Sequence, residues 1–113
     1  MTASTTPNAR LAAARRHLAQ EYGLEEDDLL ELEALLVTNL SELRTSLTAA
    51  IAASDWKTAG DHGHSIKGIA ASVGMDDLRD LGLAIEQAGR RGEKDILQHQ
   101  VPHVLAIIAE LCG

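Results

Sequence analysis

The side chains able to do chemistry concentrate in one short stretch, Asp61-His62-Gly63-His64-Ser65-Ile66-Lys67-Gly68. Placed on a helix at about 100° per residue, the apolar stripe Trp56, Ala59, Gly63, Ile66, Ala70 and Val73 points one way, and His64 points about 140° from its centre. Beside His64 fall Lys57, Gly60, Lys67, Gly68 and Ala71, a face with a histidine, two lysines, two glycines and nothing large. Neutral imidazole is a good nucleophile near neutral pH. Lys67, at i+3, can set its ammonium beside whatever the imidazole carries. Mid-helix glycine costs about 1 kcal/mol relative to alanine. Gly60 and Gly68, at i−4 and i+4 from His64, therefore predict that something large must approach an exposed imidazole closely.

The remaining histidines give weaker signals. His62 lies about 200° from His64 around the helix, which turns it toward the core boundary, and Ser65 rather than a lysine stands at its i+3 position. His62 therefore reads as structural. His99 and His103 have the i, i+4 spacing that can chelate a transition metal. No glutamate follows His99, no carboxylate nearby in sequence is an obvious third ligand, and Pro102 lies between them, so they read as solvated. His17 reads as a surface residue and Cys112 as an idle thiol.

Five helices are needed to hold this stretch in place. Leu and Ala supply 35 of the 113 residues, Val and Ile only 11, with no Phe and one each of Trp and Tyr. Such a composition favours an all-α fold with an aliphatic core. Residues 1–8 (MTASTTPN) read as a disordered tail and residues 9–113 as one domain. A short helix is predicted over about Ala9 to Tyr22, stopped by Gly23. A long one follows the acidic run Glu25 to Asp28. Its stripe is Leu29, Leu32, Leu36, Leu40, Leu43, Leu47 and Ile51, with Leu30, Leu35 and Val37 left over. Asp55 can cap a third helix that runs to about Ser72. A fourth runs from about Asp76 to Arg91 and a fifth from about Asp95 to Leu111, where Pro102 predicts a kink or a late start. Links of two to four residues make neighbouring helices antiparallel. The expected fold is an up-down four-helix bundle with an additional short N-terminal helix.

Composition also removes function classes. The formal net charge of −7 argues against nucleic-acid binding, and no apolar run approaches the ~20 residues of a membrane span. Met1 to Arg16 lacks a signal-peptide core, which makes a cytoplasmic location the expectation. A single cysteine allows neither an internal disulfide nor a thiolate zinc site. No glycine-rich nucleotide loop is present, so kinase activity is not expected.

The run His64-Ser65-Ile66-Lys67-Gly68 resembles the H-x-x-K-G signature of histidine-containing phosphotransfer (HPt) domains. The likeness extends over about Leu29 to Glu93 through Asp55-Trp56, Gly74, Leu78, Leu81, Ile85-Glu86 and Gly89 to Gly92. It implies a phosphorelay carrier that takes a phosphoryl group from an aspartyl phosphate, holds it on Nε2 of His64 and passes it to another receiver. Implied partners are response-regulator receiver domains and a hybrid sensor histidine kinase, met by a monomer. The chain itself would carry no cofactor, since the receiver brings its own Mg²⁺. Lys67 would sit near the phosphoryl oxygens, and Gly68 would leave room for the receiver. Arg90 and Glu86 occupy positions that face the histidine in some relatives, although an acidic Glu86 is expected to be unhelpful close to a phosphate. Phosphoryl transfer needs positioning and charge neutralisation more than covalent machinery, which suits so sparse a site. A metal-binding bundle built on His99, His103 and His17, or a helical interaction module without chemistry, are the other readings. The leftover leucine and valine predict an apolar docking surface on the second and third helices, with at least one of Leu30, Leu35 and Val37 exposed near His64.

Overall fold

The computed structural model describes residues 9–112; the expected tail over residues 1–8 lies outside them. Five helices follow in order: α1 (Ala9–Tyr22), α2 (Glu26–Ala52), α3 (Trp56–Ser72), α4 (Asp76–Arg91) and α5 (Lys94–Cys112), with no strand among the described residues. Their ends are set by local chemistry. Asp55 caps α3 by accepting a hydrogen bond from the Thr58 amide at 3.2 Å. Gly74 and Gly92 take φ of 75° and 66°, the left-handed conformation that stops α3 and α4 at little cost to glycine.

Helix α2 packs on α3 and α5, α3 on α4, and α4 on α5, so the four long helices close into a ring around an aliphatic core. Leu40, Leu47, Ile66, Leu78, Ile85 and Ile108 are completely enclosed there. α1 lies outside this ring against α2 and α5. Arg10 clamps it through ion pairs to Asp77 of α4 at 2.8 Å and Glu110 of α5 at 3.0 Å. This is the all-α bundle with an extra N-terminal helix that the sequence predicts.

Two local expectations change. The late start considered for α5 does not occur: the helix begins at Lys94 and runs unbroken past Pro102. The α2 stripe is not uniformly buried either. Leu29, Leu36, Leu40 and Leu47 are enclosed, Leu43 and Ile51 are half-buried, and Leu32 is 37% exposed. A repeat at steps of 3 and 4 drifts about 20° per heptad on a straight helix, so one seam cannot hold all of it. Leu32 instead lines an apolar groove of about 490 Å³ with Leu35 of α2, Leu18 and Tyr22 of α1, and Ile69 of α3. Of the leftover residues, Leu30 and Leu35 are exposed and Val37 is half-buried against the core.

Candidate functional site

Helices α3 and α4 make the most extensive contact in the molecule, and glycines on both sides allow it. A Cβ on Gly63 would lie 2.7 Å from the Glu86 amide nitrogen, and one on Gly82 would lie 2.7 Å from the Lys67 amide nitrogen. A Cβ on Gly89 would overlap the Cα of Gly60. Backbone therefore meets backbone along this seam. The side chain of Glu86, on α4, is thereby carried against α3.

Glu86 is the one buried charged residue among those described, its side chain only 3% exposed. Its Oε1 accepts from Lys67 Nζ at 2.6 Å. Its Oε2 accepts from His64 Nδ1 at 2.7 Å and pairs with the Arg90 guanidinium at 2.8 Å. The Lys67 hydrogen bond is foremost in holding the Glu86 carboxyl below its ordinary range; burial opposes it, and His64 and Arg90 reinforce it. An ionised carboxylate only accepts hydrogen bonds. The proton of a neutral His64 ring must therefore sit on Nδ1, which leaves the lone pair on Nε2. The ring is otherwise open, with its side chain 62% exposed. The result is a nucleophilic nitrogen on an open ring, oriented from behind by a buried anion that two cations also engage.

A stability consequence follows from the sign of that shift. A carboxyl whose folded-state value is depressed contributes stability that is present above its ordinary value and lost as pH falls through the folded one. The wild type is therefore expected to hold its stability lead over Glu86→Gln from neutral pH down to the ordinary carboxylate range and to lose it as pH falls below that range. A constant gap between the two melting curves would show that the ionised form contributes nothing.

The structure brings His64, Lys67, Glu86 and Arg90 together and corrects three expectations. Glu86 lies on the Nδ1 side of the ring, away from the reactive nitrogen, so its charge is not placed against a group on Nε2. Lys67 does not stand free on the face it shares with His64; its side chain is 30% exposed and tied to Glu86. Gly60 is not an access position. It is buried, and a Cβ there would meet the Gly89 Cα at 3.1 Å and the Glu86 carbonyl oxygen at 3.2 Å. Gly68 is the open one, with nothing within 4 Å of a Cβ. Gly82 and Gly89, at i−4 and i+3 from Glu86, were the signal that this carboxylate sits on a helix-contact face.

The other candidates lie apart from this cluster. His62 is half-buried. His17 is half-buried too, its ring close against Gly74. His99 and His103 are exposed, their rings edge to face at 5.5 Å. No group of three or more His, Cys, Asp or Glu side chains among the described residues could hold a metal ion. Cys112 is half-buried and points its Sγ at the Val37 carbonyl, and burial pushes its thiol up. None of the described helices is long and apolar enough to cross a membrane.

A family model of the Hpt domain matches residues 31–113. No curated protein and no solved structure matches the chain.

Proposed function

Because the chain belongs to the Hpt domain family, whose members carry phosphoryl groups on histidine in phosphorelays, we propose that His64 is its phosphoryl-carrying residue. The observation that carries this reading is the exposed imidazole whose Nδ1 is engaged by the buried Glu86 carboxylate, with Lys67 bound to the same carboxylate. The lone pair of Nε2 attacks the phosphorus of an aspartyl phosphate on a response-regulator receiver, and the aspartate leaves with the P–O bond pair. The receiver brings the Mg²⁺ and the aspartate; this chain brings the nucleophile, its orientation and a neighbouring ammonium. No nucleotide loop accompanies the histidine, which suits a carrier fed by a separate kinase.

The test is incubation of the full chain with a phosphorylated receiver. A label that is acid-labile and alkali-stable supports the reading. A chain that binds the receiver but never becomes labelled is an interaction module, and the carrier reading is wrong.

Lys67 is expected to affect rate strongly. Losing the ammonium one helical turn from His64, which engages the same carboxylate as the imidazole, should slow transfer about tenfold or more in Lys67→Ala. Its ion pair to buried Glu86 adds a stability cost of about 1–2 kcal/mol, since that carboxylate loses one of three partners. Stopped transfer time courses and thermal melts read the two effects separately; an unaltered rate would return Lys67 to the ordinary surface lysines.

The receiver is expected to dock over Gly68 and the apolar groove. Ile69 and Ser72, which line that groove on α3, follow His64 by five and eight residues, about 8 Å and 12 Å along the axis. Those spans fall within the footprint of an ordinary protein–protein contact. Leu35, 56% exposed, stands across the groove on α2 and supplies the apolar centre that such contacts use. Leu35→Asp should weaken receiver transfer without lowering the melting temperature. Unchanged transfer would move the docking centre elsewhere on α2 and α3.

A further inference from the structure

From the burial of Glu86 against His64 Nδ1 we infer that its negative charge, beyond its hydrogen bond, keeps the Nδ1 proton in place throughout phosphoryl transfer, so that the phosphoryl group can be both accepted and released with no proton movement. The inference rests on the carrier reading above and concerns how that site is tuned.

The balance of the step shows why the proton matters. When Nε2 of a neutral, Nδ1-protonated ring forms its bond to phosphorus, the ring becomes a phosphoimidazolium bearing one positive charge. In the return step the Nε2–P bond breaks, its electron pair goes back to Nε2, and neutral imidazole departs as the acceptor aspartate of the receiver takes the phosphoryl group. If the phosphorylated ring first loses its Nδ1 proton to water, the leaving group becomes imidazolate, a far stronger base and so a poorer leaving group. A phosphocarrier that must release as readily as it accepts gains from holding that proton.

The surroundings of His64 favour retention. Glu86 Oε2 is 2.7 Å from Nδ1 and only 3% of its side chain meets solvent, so water competes poorly for the proton. An adjacent anion favours the cationic form of a ring. The opposing groups are Lys67 on α3 and Arg90 on α4, and both spend their charge on the same carboxylate, at 2.6 Å and 2.8 Å. Lys57 and Asp61, the other charged side chains near His64 on α3, face each other at 4.0 Å. No described charged side chain of α2, the other helix packed on α3, forms an ion pair or hydrogen bond with His64, Lys67, Glu86 or Arg90. Glu86 is thus a positioning residue whose charge, rather than shape alone, is used. A glutamine fits the same space and can still accept from Nδ1–H, but it carries no charge to oppose the phosphoimidazolium.

The experiment compares the native chain with Glu86→Gln. Both are phosphorylated on histidine with phosphoramidate, and phosphoryl release to one receiver is timed between about pH 6 and about pH 9. Taking the ratio of the two proteins at each pH cancels the receiver's own dependence. The active, Nδ1-protonated form is present at low pH and lost as pH rises, and the native carboxylate delays that loss. The native rate should stay level through neutral pH, while the variant falls behind by about tenfold toward the alkaline end. A ³¹P titration of the native phosphoprotein supplies a reading that does not depend on the variant folding. A ring that still holds its proton well above the ordinary imidazole range supports the inference; a transition within that range overturns it. Superimposed pH profiles of two folded proteins also overturn it. If neither protein forms phosphohistidine at His64, the carrier reading itself fails. Equal labelling with equal pH profiles removes only the role of the Glu86 charge.

Discussion

Replacing His64 with glutamine is expected to abolish acid-labile labelling by a phosphorylated receiver, while His62→Gln keeps it. The two histidines are two residues apart, yet only one is placed for transfer. His64 presents an exposed ring whose Nδ1 is engaged by Glu86, so Nε2 faces the solvent. His62 is half-buried and shares none of the contacts with Lys67, Glu86 or Arg90. Glutamine retains a side chain of similar reach but offers no nucleophilic nitrogen, so the expected loss is complete rather than partial. Like Lys67→Ala, the substitution takes one of three partners from the buried Glu86 carboxylate, so a stability cost of up to about 1–2 kcal/mol is expected beside the loss of label. Label that survives His64→Gln at the wild-type level would sink the assignment; label lost only in His62→Gln would transfer it to the neighbour.

The second large effect is a pair of identical substitutions with opposite signs. Gly68→Ala should stabilise the isolated domain by up to about 1 kcal/mol, since alanine is the better helix former and a Cβ there meets nothing within 4 Å. Gly82→Ala gains the same propensity but drives its Cβ to 2.7 Å from the Lys67 amide nitrogen and 2.9 Å from the Gly63 carbonyl oxygen. Both are backbone atoms and cannot rotate away, so α4 must shift from α3. Overpacking of this kind costs about 1–3 kcal/mol, and on a domain of this size each kcal/mol moves the melting temperature by about 4 °C. The shift should also draw Glu86 from His64 and Lys67, so transfer falls along with stability. Gly68→Gln completes the set: it should fold, yet block the receiver. A Gly82→Ala protein as stable as wild type would mean that the seam is looser than its backbone spacing indicates. Normal transfer by Gly68→Gln would remove access as the reason for that glycine.

Much of this architecture is legible in the chain, because helix geometry converts spacing into direction. The apolar residues at steps of 3 and 4, the Asp55 cap and the glycines at 74 and 92 locate α3 and α4 to within a residue. The same periodicity turns His64 outward and His62 toward the boundary. Phase alone, however, is symmetric about His64. Gly60 and Gly68 each sit about 40° from it, one on either side, and nothing local says which side a neighbouring helix covers. The tertiary structure breaks that symmetry. α4 covers the Gly60 and Lys67 side, which makes Gly60 a packing residue, leaves Gly68 as the open one, and ties Lys67 to a carboxylate from another helix. Glu86 shows the same limit most plainly. It follows the histidine by 22 residues, and as a residue type beside a phosphate it reads as a liability. Its use depends on which edge of the imidazole it touches, and that is fixed by the depth to which glycines let two helix backbones approach. Local sequence determines helices and their faces; the distance between helices, and therefore which charges meet, is a property of the packed molecule alone.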